Sequence, residues 1–308
     1  MKKNFKGRDF LSVADLDGQE LLFLLDYAAG IKRQHQEGKL ERSLRGKGVA
    51  LIFEKPSTRT RVSFEMGIYL LGGHPVNLSP TEMQLGRGET IEDTGRVLSR
   101  YVDAIMIRTF QQETVERLAE AADVPVINGL TDLEHPCQIL ADLLTVRERK
   151  GLYPGLKLTY LGDGNNVANS LLLGCALSGL DICVACPEGY APDPGVLRKA
   201  GELAKSSRVE VTGDPLEAVR GAEVVYTDVW VSMGQKDEEE RKRTLQPYQL
   251  NSDLLARAAP SAIVMHCLPA HREEEITNEV IDGSQSVVWD QAENRLYAQM
   301  ALLELLLV

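Results

Sequence analysis

Several short stretches of this chain carry groups suited to binding and moving small charged molecules. FEKPSTRTR, residues 53–61, sets Ser57, Thr58, Arg59, Thr60 and Arg61 directly ahead of a run with helical apolar spacing. A helix start exposes amides and a partial positive charge, so carboxylates are its usual neighbours. Two arginines there are repulsive unless an anion is present. That points to a phosphate cradle of hydroxyls, amides and guanidinium groups. A plainer account also covers the hydroxyls: Ser57 or Thr58 caps the helix, and the arginines are solvated or paired with Glu54 and Glu65. LEHPCQIL, residues 133–140, has similar character, with Pro136 at a favourable first helical position, His135 beside it and Gln138 in the first turn. A lone histidine is more often structural. Arg108 ends DAIMIR, where ligands of open parallel sheets lie, though it suits a domain salt bridge equally. Arg295, in AENRLYAQ, is by itself only a helix arginine.

The second half offers groups for an amine. Asp228 follows the strand-like EVVYT, where a carboxylate can anchor an ammonium group or cap a turn. Cys267 and Leu268 follow AIVMH, and the plain reading of Cys267 is a packed small hydrophobe. LTYLGDGNNVANSLL, residues 158–172, reads as strand, glycine-rich turn and helix, with Asn165 and Asn166 suited to turn and cap positions. Gly162 and Gly164 supply part of a dinucleotide fingerprint, and Glu188 could mimic its ribose-binding acid. Val167 fills the third glycine position, where close helix–strand packing needs glycine, and the fingerprint fails there. Cys183 and Cys186 have redox or metal spacing, but no second pair completes a site, so they read as buried strand residues. No metal and no cofactor are called for.

Alternating strand and helix patterns must position these groups, which signals an α/β fold with parallel sheets. The first half reads as a helix near 15–35, a strand at 48–54, a helix at 58–71, a strand at 103–108, a helix at 112–122, a strand at 124–127 and a helix from Pro136 to about Arg149. Lys150 to Gly155 reads as a junction. Strands at 157–161, 181–186, 223–227, 262–266 and 286–289 follow, and an apolar-rich helix runs from Ala292 to Val308. The 236–243 charge run, KDEEERKR, reads as a solvated loop or helix start. A net charge of −11 over 308 residues argues against general nucleic-acid binding. Five scattered cysteines fit a reducing cytoplasm, and no apolar run approaches the length of a membrane helix.

Taken together, STRTR, HPCQ and HCLP stand in the order found in the carbamoyltransferases that use carbamoyl phosphate, and the chain resembles that family over nearly its whole length. STRTR and HPxQ are shared by the aspartate and ornithine branches, whereas HCLPA (266–270) and DVWVSMG (228–234) are similar to the ornithine branch. The resemblance implies two domains, each a parallel sheet flanked by helices: residues 1–149 for carbamoyl phosphate and 150–290 for ornithine, with helix 291–308 returning to the first. It implies that Ser57, Thr58, Arg59 and Thr60 bind phosphate, that Arg108, His135 and Gln138 contact the phosphate or carbonyl end, and that Arg295 completes the pocket. Gln84 would reach a neighbouring subunit's site in a homotrimer or a multiple of trimers. Asn166, Asp228, Ser232 and Met233 would bind ornithine, with Ser232-Met233-Gly234 in a mobile loop. Cys267 and Leu268 would lie near the reacting amine and the carbamoyl group. The implied reaction gives citrulline and phosphate, with Cys267, Asp228, Arg108 and His135 as its catalytic groups. Other acceptors such as putrescine or an acylated ornithine, a nicotinamide-dependent dehydrogenase, and a non-catalytic relative are the competing readings.

Overall fold

The computed structural model describes residues 5–79, 83, 88–231 and 237–308. In chain order these form α1 (Gly18–Gln36), β1 (Gly48–Phe53), α2 (Thr58–Leu70), β2 (His74–Leu78), α3 (Ile91–Leu98), β3 (Ala104–Arg108), α4 (Gln112–Ala121), β4 (Val126–Leu130) and α5 (Pro136–Lys150). Then come β5 (Lys157–Leu161), α6 (Asn166–Ser178), β6 (Asp181–Ala185), α7 (Pro194–Leu203), β7 (Val209–Thr212), α8 (Pro215–Val219) and β8 (Val224–Thr227). The chain continues through α9 (Glu238–Leu245), α10 (Ser252–Leu255), β9 (Ile263–His266), α11 (Asn278–Ile281) and α12 (Val288–Leu307). Two compact units result, residues 1–144 with 294–308 and residues 145–293. The divisions fall within α5 and α12, and Asn294 to Val308 belong with the first unit.

In the first unit a four-stranded sheet runs in the order β2-β1-β3-β4, all parallel. The inner strands GVALIF and AIMIR are buried along almost their whole length, as strands covered on both faces must be. The strand order reverses direction between β1 and β3, so the carboxyl ends of these neighbours open at a switch point, where open α/β sheets bind ligands. The second unit has a five-stranded parallel sheet in the order β7-β6-β5-β8-β9, and its switch point lies between β5 and β8.

One strand expected from the sequence is absent. Residues 286–289 make a single bridge from Ser286 to Val264, and α12 begins at Val288. SVVW is too short an apolar run to separate a strand from the first turn of a buried helix. Cys183 is buried within β6 as expected, and Cys186 is equally buried but lies just past the end of that strand. No helix among the described residues is long and apolar enough to cross a membrane.

Candidate active site

The anion-binding candidates of the first unit are built from two helix starts and one strand end. Ser57 caps α2, its hydroxyl accepting from the Thr60 amide at 3.2 Å, so the capping account of that residue holds. Two contacts fix the loop ahead of it. Glu54 accepts a hydrogen bond from the Thr109 hydroxyl, and Lys55 pairs with Asp132 while its ammonium lies 4.4 Å from the centre of the Phe110 ring. Lys55 is buried; sequence reasoning passed over it because a lysine before a proline carries no local signal. Arg61 lies over the Phe53 ring, 4.6 Å from its centre, and reaches Asn77 at 3.3 Å. Those contacts anchor α2 to the sheet, and Glu54 is engaged with Thr109.

Arg108 pairs in register with Phe53 at the end of β3 and is buried. The β3–β4 register shifts between Ile107 and Arg108, so β4 carries an extra residue there. Such bulges re-aim side chains beside functional sites. Gly129 makes this one fit: a Cβ there would meet the Met106 sulfur at 2.5 Å.

Arg295, on α12, draws the pieces together. Its guanidinium donates to the Thr60 hydroxyl at 2.8 Å, to Gln138 Oε1, and to His135 Nε2 at 3.3 Å. All four side chains are buried. Burial pushes the His135 pKa well down, and the positive charges of Arg295, Arg108 and Arg59 push it further in the same direction. The ring is therefore neutral at pH 7. An arginine N–H against Nε2 fits a neutral imidazole accepting at that atom. Three guanidinium groups around two helix starts make a strongly positive field, one suited to a small dianion.

The second unit assembles its groups at its own switch point. Gly162 has φ +124° and Gly164 lies so close to the 190–192 backbone that a Cβ would meet Pro192 N at 2.3 Å. The GDG turn is thus set by packing within this unit. Asn165 caps α6, accepting from the Val167 and Ala168 amides, the donors a dinucleotide pyrophosphate would need. Its amide NH2 donates to Asp228 Oδ2 at 2.8 Å. Asn166 opens α6 and is partly exposed. Asp228, 5% exposed, also accepts from the Cys267 thiol, Sγ to Oδ1 at 2.9 Å. Leu268 has φ +60°, a costly conformation for a branched side chain and one that persists only where surroundings enforce it. Here the Leu268 amide donates to His266 Nδ1 at 2.9 Å, and His266 Nε2 meets Glu275 at 3.0 Å, with the His266 and Glu275 side chains fully buried. His266 and Glu275 are thus supports that sequence reasoning did not single out, whereas Asn165, suited by type to a turn or cap, does cap α6.

Asp163, in the same turn, pairs with Arg241 of α9, which also donates to the Trp230 carbonyl at 2.9 Å. Burial lifts the Asp163 pKa to about 6 despite the opposing pull of Arg241. Arg241 belongs to the charge run 236–243, so that run is only partly a solvated face.

Residues 8–148 match the family model for the aspartate/ornithine carbamoyltransferase carbamoyl-P binding domain, and residues 154–306 match that for the Asp/Orn binding domain. The chain belongs to the aspartate/ornithine carbamoyltransferase family. It is 58% identical over 304 residues to an ornithine carbamoyltransferase of Methanothermobacter thermautotrophicus, covering 97% of this chain and 99% of that one. An ornithine carbamoyltransferase of Oceanobacillus iheyensis is 54% identical over 309 residues, covering 99% and 96%. The solved ornithine carbamoyltransferase from Pyrococcus furiosus superposes with a TM-score of 0.96 at 52% identity, over 99% of this chain and 98% of that one.

Among the expected residues of this carbamoyltransferase family member, the structure brings Thr60, His135, Gln138 and Arg295 into direct contact, and Asp228 with Cys267. Arg59 and Arg108 lie near enough to act on His135. Ser57 turns its hydroxyl to its own helix, and Thr58 is exposed. Gln84, Ser232 and Met233 lie outside the described residues. Asp228, His266 and Cys267 bring possible metal-ligand atoms within 4.8 Å of one another. Both His266 ring nitrogens are already engaged, by the Leu268 amide and by Glu275, so the donor set fits a hydrogen-bonded support better than a metal centre.

Proposed function

We propose that the protein transfers the carbamoyl group of carbamoyl phosphate to the δ-amine of L-ornithine, giving L-citrulline and phosphate. The observation that carries this is the near full-length similarity to ornithine carbamoyltransferases at over half identity. In this reading Ser57, Thr58, Arg59 and Thr60 hold the phosphate, joined by Arg295 and by Gln84 from a neighbouring subunit. Arg108, His135 and Thr60 polarise the carbonyl as it becomes an oxyanion, and Gln138 and Leu268 contact the carbamoyl group. Preorganised donors of this kind are each worth about 3–4 kcal/mol in the transition state. The neutral state of His135 suits this task, because it donates without adding a fourth charge that the free site would have to tolerate.

Ornithine is held by Asn166, Asp228, Ser232 and Met233. Its δ-ammonium, with a pKa near that of lysine, costs roughly 4–5 kcal/mol to deprotonate at pH 7. Asp228 and Cys267, linked by their hydrogen bond, are the groups that receive the amine and its proton. The amine attacks the carbamoyl carbon, the tetrahedral intermediate collapses, and the C–O bond to phosphate breaks. The departing phosphate is a further proton acceptor. Carbamoyl phosphate binds first and ornithine second, which product-inhibition kinetics tests; a random pattern contradicts it.

The enzyme works in the cytoplasm as a homotrimer or a multiple of trimers, in arginine synthesis or in the reverse direction in arginine breakdown. A colorimetric citrulline assay with ornithine, putrescine and aspartate offered in parallel tests the reading. Product with ornithine alone is expected; turnover of either other acceptor in its place overturns it.

A further inference from the structure

We propose that Asp142 is a positioning residue that sets which end of the Gln138 amide faces bound carbamoyl phosphate; this rests on the reading of that site given above. Both side chains are about as buried as any in the protein, at 1% exposure. They stand four residues apart on α5, hence on one face. Gln138 Nε2 donates to Asp142 Oδ1 at 2.8 Å. A carboxylate offers acceptors only, so it draws the NH2 end of the amide to itself. Oε1 is thereby turned the other way, where Arg295 donates to it.

A carbonyl oxygen has two lone pairs, so Gln138 Oε1 can accept from Arg295 and from a ligand together. Carbamoyl phosphate differs from other acyl phosphates in carrying an NH2 group, a donor, on its acyl carbon. Held by Asp142, Gln138 meets that donor with an acceptor. With the amide reversed, its own N–H groups would face both the guanidinium and the substrate NH2, donor against donor. Asp142 thus acts on substrate choice at one remove, through the orientation of its neighbour.

Acetyl phosphate, which replaces NH2 by CH3, is the probe. The ratio of its inhibition constant to the KM for carbamoyl phosphate is measured for wild type, Asp142→Asn, Gln138→Ala and the double variant. Wild type should favour carbamoyl phosphate by at least about tenfold, because a site built to pair with a donor rejects the analogue lacking it. Asp142→Asn keeps the shape but adds a donor, permits the reversed amide, and should cut the ratio at least about fivefold. Its affinity for inorganic phosphate should change less than the ratio does, because the reversed amide reaches the phosphate contacts at one remove, through Arg295. In the Gln138→Ala background the same change should leave the ratio alone, which a merely structural role would not predict. Should Asp142→Asn not fold, Asp142→Ser, whose hydroxyl also donates, is measured in its place. A wild-type ratio near one, an unchanged ratio in the Asp142 variant, or an equal drop without Gln138 overturns the proposal. Failure of the underlying reading looks different: wild type would then show no saturable use of carbamoyl phosphate at all.

Discussion

Arg295 is the residue on which the proposed anion site converges. Replacing it with lysine keeps a charge but loses the planar fork that reaches Thr60, Gln138 and His135 at once. The expected result is a fall of about 100-fold or more in kcat/KM for carbamoyl phosphate, with the melting temperature changed far less. Steady-state kinetics beside thermal melting checks this. His135 gives a pH prediction. Its folded pKa lies below that of the unfolded chain, about 6.5. As pH falls through 6.5 the unfolded chain takes up a proton that the fold refuses, so this residue's contribution to stability is present above 6.5 and is lost progressively below it, down to the folded pKa. Proton NMR of the free protein should show the His135 ring still neutral at pH 6; a midpoint near 6.5 would contradict the assignment. Motif spacing pointed to His135 and Gln138, which the structure joins to Arg295, and to Arg59, which lies near His135. It did not disclose Lys55 or His266, whose roles show only once the fold sets Lys55 against Asp132 and His266 between Glu275 and the Leu268 amide.

Elements place these groups through packing that local patterns conceal. Gly164 lets the turn after β5 lie against the 190–192 backbone, and a methyl group there has no room. Gly164→Ala should therefore displace Asn165 and Asp228, raising KM for ornithine while leaving phosphate binding to the first unit within about twofold. Calorimetry with inorganic phosphate and kinetics with ornithine separate the two effects. The inner strands were legible because each buries a continuous apolar run, and the long helices because apolar residues recur at helical spacing. β2 and β7 escaped notice because both are edge strands: β2 carries Pro75 and a polar face, and β7 alternates over only four residues. The bulge at Arg108 was likewise invisible, since it shows only when two strands are paired.

For the whole molecule, the division of labour follows the division of the chain. The groups proposed to hold phosphate belong to the first compact unit, and those proposed to hold ornithine to the second. That partition was readable from the order of the motifs, although the boundaries lie within helices and no composition shift marks them. If Gln84 serves a neighbouring subunit's site, activity depends on assembly. Specific activity should fall on dilution in step with dissociation of the trimer followed by analytical ultracentrifugation, and a fully active monomer would refute the shared site. The central claim is that Arg59, in the first turn of α2, is there to hold carbamoyl phosphate. Citrulline formation at saturating ornithine, with carbamoyl phosphate varied, tests it most directly in wild type and Arg59→Gln. The account predicts brisk turnover in wild type and a loss of at least about 100-fold in kcat/KM in the variant; equal turnover in both would contradict it.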